Sequence, residues 1–189
     1  TLSNSKAYSS GWAEAEDESW SPDSKYIAYS QEDLDFDSEI FIQSVVNPND
    51  KFNVSMHPRS DRSPVWSPDG KKLAFSSNRS GNRGGIDYDV WMVWLKKEDW
   101  ERSKTDRENG DYYAEIEADK GKDKDKKETE IKVTINKERI FDRLTRITRL
   151  PDDEYGGMFG PDSNYVYYSA TDTSTNHRSF FKVKLDATS

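Results

Sequence analysis

The chain has 189 residues, a length that suits one domain or one and a half. Its 28 Lys and Arg against 36 Asp and Glu give a net charge of −8, which argues against duplex nucleic acid and anionic membrane as partners. The absence of Cys excludes disulfides, thiolate nucleophiles and Cys-ligated metals. The longest apolar run, Val90–Leu95, is too short to span a membrane, so we expect no membrane insertion.

The aromatic content indicates a folded, β-rich chain, although only 32% of the residues are hydrophobic. The chain holds 6 Trp, 10 Tyr and 8 Phe, residues in which disordered chains are poor. The polarity is concentrated in residues 96–130, where 23 of the 35 positions are charged. We interpret this block as an insertion with a helical opening at Lys96–Asn109 and a low-complexity, disordered stretch at Asp119–Lys127. Either a purely solvated role or an interaction role is open for it.

Three segments share one pattern, in which an aromatic residue precedes a Pro-Asp turn and an apolar strand follows it. The motif residues are Trp20, Pro22 and Asp23 in the first copy, Trp66, Pro68, Asp69 and Gly70 in the second, and Phe159, Pro161 and Asp162 in the third. Proline presets the first corner of such a turn, Asp caps its own backbone and Gly accepts the left-handed conformation. The first two prolines are 46 residues apart, and the larger step to the third contains the charged insertion. A period near 45 residues with several short strands is typical of propeller blades.

Each repeat predicts a four-stranded meander. The second strands are predicted at Tyr26–Ser30, Lys72–Ser76 and Tyr165–Ser169, the third at Glu39–Val46, Tyr88–Leu95 and Ser179–Leu185, and the fourth at Lys51–Met56 and Leu144–Leu150. The second strands are apolar at nearly every position, which suits a sheet packed on both faces. The segment Asp61–Trp66 leads into the second blade, and the N-terminal tail is an outer strand of an earlier blade in one interpretation.

We therefore predict an all-β fold: a partial β-propeller of about three four-stranded blades with one long charged insertion. The predicted units are residues 1–60, a blade with an N-terminal tail; 61–150, a blade with the insertion 96–130; and 151–189, an incomplete third blade. The alternative is a β-sandwich of hairpins, but hairpins alone do not require the same tetrad to recur. A closed ring needs typically 4–8 blades, so we expect either a fragment of a longer polypeptide or association of copies. The chain does not begin with Met, which also favours a processed or excised piece.

The run Trp66–Arg79, followed by Asp87–Val93, resembles the β-propeller repeats of tricorn protease homologues and of the related TolB propeller. The Lys/Glu/Asp insertion and the segment Arg139–Pro151 favour the tricorn homologues. Phe159-Gly160 departs from the Trp-Ser of the other copies and weakens the resemblance for the third blade. In tricorn homologues, propellers precede a PDZ-like domain and a serine-peptidase domain, assemble into homo-oligomers and filter substrate peptides.

The resemblance implies a non-catalytic propeller segment of a tricorn-like serine peptidase, serving substrate access or protein docking in the cytoplasm. One alternative is a stand-alone TolB-like propeller that binds a partner protein in the cell envelope, which would place it in the periplasm. A weaker alternative is the propeller cap of a prolyl-oligopeptidase-type enzyme. The expected partners are a peptide or protein, the remaining blades of the same propeller, and other copies of the chain. We expect its terminal blade faces, carrying Ile27, Tyr29, Val166 and Tyr168, to be uncovered and to drive self-association.

No residue stands out as catalytic. His57 lies in a turn between blades, His177 lies in a polar loop, and no Gly-x-Ser-x-Gly elbow is present. We therefore predict no catalytic residues in this chain.

Binding sites for metals and cofactors are not predicted either. Asp33, Asp35 and Asp37 resemble the start of a calcium loop, but Ser stands at the sixth and twelfth positions, where Gly and a carboxylate are required. The stretch 78–85 is rich in Gly but lacks the Lys-Ser/Thr pair of a phosphate loop. Its two cations, Arg79 and Arg83, are candidates for holding a peptide carboxylate.

Overall fold

The computed structural model describes residues 15–32, 36–80, 87–102, 130–150 and 153–185. This part of the chain holds eleven strands in three antiparallel sheets. The strands are β1 (Ala15–Trp20), β2 (Tyr26–Glu32), β3 (Ser38–Ser44), β4 (Lys51–Asn53), β5 (Asp61–Trp66), β6 (Lys72–Ser77), β7 (Asp89–Trp94), β8 (Leu144–Arg146), β9 (Tyr155–Phe159), β10 (Tyr165–Asp172) and β11 (His177–Lys184). The first sheet has the order β1-β2-β3-β4, the second β5-β6-β7-β8 and the third β9-β10-β11.

The second and third strands of each repeat lie where the sequence predicts them, to within three residues at either end. The fourth strands are shorter than predicted, since β4 ends at Asn53 and β8 at Arg146. In the first sheet the strand pairing ends early because a side-chain hydroxyl takes the place of the next backbone acceptor. Two residues after β4, the Ser55 hydroxyl accepts the Ile40 N–H at 3.0 Å.

The first strand of each sheet is the segment before the Pro-Asp turn. Residues 15–20, which the sequence leaves in an N-terminal tail, form β1 and pair with β2. β1, β5 and β9 each carry an irregularity in register, with a left-handed residue at Asp17, Ser63 and Gly156. Such an irregularity bends the strand and increases its local twist.

The turns of the three repeats share one geometry. In the second repeat, Gly70 N–H donates to the Ser67 carbonyl and Ser67 N–H to the Lys72 carbonyl, both at 2.9 Å. Gly70 has a φ of +69°, a conformation that Ser24 and Ser163 also adopt at this turn position. A Cβ at Gly70 would meet Val133 Cγ2 at 2.8 Å, so it is the limited space that favours glycine in the second repeat. The carboxylates of Asp23, Asp69 and Asp162 each accept the N–H two residues on, at 3.2, 3.0 and 3.1 Å.

Two apolar clusters hold the sheets together. We name the contact between the first and second sheets junction 1–2, and that between the second and third junction 2–3. Junction 1–2 buries Ala28, Ile40, Ile42 and Val54 of the first repeat against Trp66, Leu73, Phe75, Val93 and Leu95 of the second, with Val133 and Ile140 from the segment that follows the insertion. Junction 2–3 buries Ala74, Val90, Met92 and Ile147 against Phe159, Val166, Tyr168 and Ala170. Ala28 and Ile40 of the first sheet thus face junction 1–2 as Ala74 and Val90 of the second sheet face junction 2–3. Such repetition of the same contacts is typical of stacked repeats.

The segment that follows the charged insertion packs against the first two sheets. Residues 97–102, at the start of the insertion, are helical, and Ile140–Arg143, after it, form a 3-10 helix. Val133 N–H donates to Asp23 Oδ2 at 3.0 Å, which ties the segment after the insertion to the first Pro-Asp turn. Arg143 is buried and its guanidinium donates to the Trp94 carbonyl at 2.9 Å. The predicted disordered stretch, Asp119–Lys127, lies outside the described residues.

Candidate functional site

Arg79, a candidate for peptide binding, lies buried in junction 1–2. Its Nη2 donates to Asp61 Oδ2 and its Nε to Ser77 Oγ, both at 2.8 Å. The guanidinium also lies 5.0 Å from the ring centre of Trp91 and 5.6 Å from that of Phe75. Burial raises the pKa of Asp61 to about 6, and the adjacent Arg79 charge opposes that rise. Arg79 thus serves as the counter-ion of a buried carboxylate, and its role toward a peptide stays a prediction.

The other sequence candidates are dispersed. Arg83, Asp33 and Asp35 lie outside the described residues, while Asp37 accepts the Ser60 hydroxyl at 3.2 Å. His57 is half-buried beside Arg79. Burial and the Arg79 charge lower its imidazole pKa, and its backbone N–H donates to Glu39 Oε1 at 2.9 Å. His177 is exposed at the start of β11 rather than in a loop.

Junction 2–3 contains a buried carboxyl group that sequence reasoning missed. Glu154 is fully buried, and its Oε2 accepts the Thr148 hydroxyl at 2.8 Å. It also shares a hydrogen bond with Asp89, whose Oδ1 is held by Arg146 Nη2 at 2.7 Å. Burial and the hydrogen bond with Asp89 raise the pKa of Glu154 to about 7, whereas the Thr148 hydrogen bond opposes the rise. Two acids with one nearby arginine therefore hold a proton near neutral pH.

Because Glu154 holds this proton, we expect the free energy of unfolding to depend on pH, and we expect Glu154→Gln to remove that contribution. The folded-state pKa lies above the ordinary 4.5, so the folded protein retains a proton that the unfolded chain releases between pH 4.5 and 7. Stability from this group is therefore present below pH 4.5 and is lost as pH rises to 7. We expect Glu154→Gln to match the wild type near pH 4.5 and to exceed its unfolding free energy at pH 8 by roughly 1–3 kcal/mol.

Urea unfolding between pH 4.5 and 8.5 measures this effect, with the exposed Glu18→Gln as the control. Equal pH dependence in the wild type and Glu154→Gln would contradict the shared proton.

The third sheet has one uncovered face, which we call the open face. It comprises Tyr155, Met158, Tyr167, Arg178, Phe180 and Lys182. Phe180 is 86% exposed and Met158 59%, which is unusual for large apolar side chains on a sheet. The cations lie beside aromatic rings, with Arg178 4.9 Å from the centre of Tyr155 and Lys182 5.2 Å from that of Tyr165. The open face is therefore apolar, aromatic and positively charged.

The prediction that four apolar residues lie uncovered on the terminal blade faces is wrong. Ile27, Tyr29, Val166 and Tyr168 are all buried, and the last two face the second sheet in junction 2–3. For Val166 and Tyr168 alternation along β10 explains the error, because neighbouring residues of a strand point to opposite faces. Tyr167, between them, is the one that reaches the open face. Ile27 and Tyr29 do point away from junction 1–2, since Ala28 between them packs in it, but both are buried.

The aromatic position before each turn differs in burial among the repeats. Trp66 is 6% exposed, stacks on Tyr26 with ring centres 6.4 Å apart and donates its indole N–H to the Ser19 carbonyl at 3.0 Å. Phe159 is likewise buried, whereas Trp20 is 46% exposed. Trp66 and Phe159 thus each pack on the sheet that precedes them in the chain, whereas no described sheet precedes Trp20.

A cleft of about 700 Å³ lies at the base of the insertion, between the helical residues 97–102 and the 3-10 helix. Trp100 and Ile135 line it together with charges of both signs, among them Lys97, Glu138 and Arg139. These opposing charges select no single class of ligand.

In the described ranges, no three His, Asp or Glu side chains converge as metal ligands. Nor is any helix there long and apolar enough to cross a membrane.

No family model and no curated protein matches this sequence. Solved structures do match the fold. A putative TolB from Agrobacterium tumefaciens superposes with a TM-score of 0.58 at 14% identity, over 97% of this chain and 49% of the other. TolB from Acinetobacter baumannii gives 0.57 at 13% identity, over 96% of this chain and 32% of the other.

A crystal structure of the tricorn protease gives a TM-score of 0.48 at 14% identity, over 87% of this chain and 18% of the other. This TM-score is lower than that of either TolB structure. The chain spans half or less of the length of these structures. Together with the three stacked antiparallel sheets, the two TolB matches show that the chain has the fold of a partial, TolB-like β-propeller.

Proposed function

We propose that the chain is a non-catalytic β-propeller segment that docks a protein or peptide partner through the open face. The observation that carries the proposal is the exposure of Phe180 and Met158 on one sheet face. A contiguous exposed apolar patch is typical of a protein interaction site. Arg178 and Lys182 on the same face favour a partner segment with acidic residues, because opposite charges orient and accelerate the encounter.

Selection from a displayed random peptide library on the immobilised chain tests this function. We expect enriched peptides to lose binding to Phe180→Asp and to keep binding to Val46→Asp, since Val46 is equally exposed but lies in the turn between β3 and β4. Peptides that bind both variants alike would show that the open face is not the docking site.

The finer assignment rests on the sequence resemblance. The run Trp66–Arg79 and the segment Arg139–Pro151 favour a propeller of a tricorn-like serine peptidase, which serves substrate access or filtering. The alternative is a TolB-like stand-alone propeller that binds a partner protein in the cell envelope, and the two TolB structures support its fold. The gene downstream of residue 189 separates them. A PDZ-like and a peptidase domain select the first, further blades and then a stop codon select the second, and an α/β-hydrolase elbow selects a prolyl-oligopeptidase-type cap.

For either assignment we expect the isolated chain to hydrolyse no peptide. The physical reason is that the sequence places no nucleophile beside a base in a recognisable motif. The two histidines are also far apart in the fold, since His57 lies between β4 and β5 and His177 begins β11. Incubation with a mixed peptide library followed by mass spectrometry measures this. Hydrolysis that survives repurification and is abolished by a serine-directed inhibitor would overturn the expectation.

A further inference from the structure

Residues 131–136, which we call the strap, lie across junction 1–2 at the end of the sheets that carries the Pro-Asp turns, and they belong to none of the three sheets. Val133 is 5% exposed and belongs to the apolar cluster of junction 1–2, and Ile135 packs against the same cluster. Lys132 and Thr134, on either side of Val133, are exposed. The strap therefore buries alternate side chains, as a strand does, although no strand pairs with it.

Both neighbouring sheets hold the strap through hydrogen bonds. On the side of the first sheet, the Val133 N–H donates to Asp23 Oδ2 at 3.0 Å. On the side of the second sheet, the Asn136 N–H donates at 2.9 Å to the carbonyl of Leu95, the residue that follows β7. Asn136 Oδ1 also accepts the Lys97 N–H at 2.9 Å. The strap thus spans a groove between the first and second Pro-Asp turns.

This groove has room for the strap because the second turn has glycine where the other two turns have serine. In the third turn the equivalent residue, Ser163, is 2% exposed, and its hydroxyl accepts the Asp69 N–H at 3.0 Å. The second and third turns therefore contact each other directly. A Cβ at Gly70 would instead meet Val133 Cγ2 at 2.8 Å and Ile131 Cγ2 at 3.3 Å. The strap thus occupies, at junction 1–2, space that a serine side chain takes at junction 2–3.

The acceptor for the strap comes from a second difference between the turns. In the second turn, Asp69 Oδ2 accepts the Lys72 ammonium at 2.9 Å. In the first turn, Tyr26 stands at the position of Lys72, and Asp23 Oδ2 accepts the Val133 N–H. Glycine in one turn therefore supplies the space, and the carboxylate of the other turn supplies the acceptor.

We infer that the groove between the first and second turns is a binding site for an extended peptide segment, which the strap occupies in cis and from which it excludes partner segments. The segment that fits has aliphatic residues at alternating positions and a backbone N–H opposite Asp23. Because no strand pairs with the strap, its release breaks fewer backbone hydrogen bonds than release of a strand would, so a partner segment of this pattern can replace it. The site is separate from the open face and does not depend on the proposed function.

The test uses a labelled peptide of residues 130–136, Glu-Ile-Lys-Val-Thr-Ile-Asn, with blocked ends, added to the 189-residue chain and measured by fluorescence anisotropy. Val133→Ala shortens the side chain that the strap buries, so the strap should compete less well with the peptide. We expect the peptide to bind the Val133→Ala chain about tenfold more tightly than the wild type. Thr134→Ala changes an exposed residue of the strap and is the matched control, which should bind the peptide as the wild type does.

Variants of the peptide and of the groove test specificity. Alanine at the peptide position of Val133 should weaken binding to the Val133→Ala chain about tenfold, whereas alanine at the position of Thr134 should change it less than about twofold. Adding Gly70→Ser to that chain should abolish binding, because the serine side chain fills the groove. The backbone tolerates this change, since Ser24 and Ser163 adopt the same φ region at this turn position. Equal binding to the wild type and Val133→Ala, absence of binding, or binding that survives Gly70→Ser would each overturn the inference.

Amide exchange gives a second measurement that does not require Val133→Ala to fold. Gly70→Ser alone should displace the strap and speed exchange of the Val133 amide about tenfold, while the Phe75 amide in the central strand β6 changes less than about twofold. Unchanged exchange at Val133, or equal acceleration at Phe75, would overturn the inference. Either outcome would leave the proposed function standing, because the open face lies on the third sheet and is tested by Phe180→Asp.

Discussion

Replacing Trp66 by alanine is expected to lower the free energy of unfolding by about 3–5 kcal/mol, the usual cost of truncating a buried aromatic residue. Trp66 fills junction 1–2, stacks on Tyr26 and satisfies the Ser19 carbonyl. Its loss therefore leaves a cavity between two sheets and removes a hydrogen bond that joins them. Urea denaturation followed by far-UV circular dichroism measures the effect.

The repeat offers a matched control for this substitution. Trp20 occupies the same motif position in the first sheet but is 46% exposed, so Trp20→Ala should cost less than half as much. Deleting Asp119–Lys127 should change the unfolding free energy by less than about 0.5 kcal/mol, as is usual for surface changes. A deletion that costs more than Trp66→Ala would contradict the interpretation of the insertion as peripheral.

The local features of the fold could be predicted because they are encoded within a few residues. The Pro68-Asp69-Gly70 turn is specified by proline's fixed φ, by an Asp that caps its own backbone and by a glycine at φ +69°. The apolar strand after each turn follows from its composition. Its length was predicted to within three residues because the flanking polar loops interrupt the pattern.

The features that depend on neighbouring sheets could not be read from composition. Val166, Tyr167 and Tyr168 are three consecutive apolar or aromatic residues, and the sequence does not state which of them faces the second sheet. Comparison of the repeats supplies that answer, since Tyr167 corresponds to Ala74 by its position after the turn. Phe180 could have been identified in the same way, because it pairs with Ser169 as Val90 pairs with Ser76.

The buried acids were missed for a different reason. Asp61 and Glu154 stand at or next to the start of a first strand, in polar stretches that resemble surface turns. Their burial comes from the approach of the preceding sheet, with Ser55 and Thr148 at equivalent positions beside them. No local pattern distinguishes such an acid from an exposed one. The burial that hides it from sequence reasoning also raises its pKa.

Arg79→Met should cost about as much as Trp66→Ala at junction 1–2, and its cost should depend on pH. Removing one partner of a buried ion pair typically costs about 3–5 kcal/mol, because the remaining charge stays buried without compensation. Methionine keeps much of the apolar contact with Trp91 and Phe75, so the loss reports mainly on Asp61. If Arg79 instead serves only to hold a peptide carboxylate, the variant should lose peptide binding and keep its stability.

The direction of the pH effect follows from the pKa of Asp61, which lies at about 6 with Arg79 present, above its ordinary 3.8. Stability from this group is present below pH 3.8 and declines as pH rises to 6. Without Arg79 the folded-state pKa rises further, so the decline should extend to higher pH. The cost of Arg79→Met should thus be small near pH 4.5 and reach its full value near pH 8.

The double variant Asp61→Asn, Arg79→Met separates charge from packing. It leaves neither ion of this pair buried, so it should recover most of the stability lost at pH 8 and lose the pH dependence that Asp61 contributes, while keeping the dependence that Glu154 contributes. Calorimetry or urea unfolding at pH 4.5, 6 and 8 gives all three values for each variant. A cost of Arg79→Met that is the same at pH 4.5 and pH 8, or a double variant no more stable than the single one, would mean that Arg79 stabilises the junction by packing on Trp91 and not by neutralising Asp61.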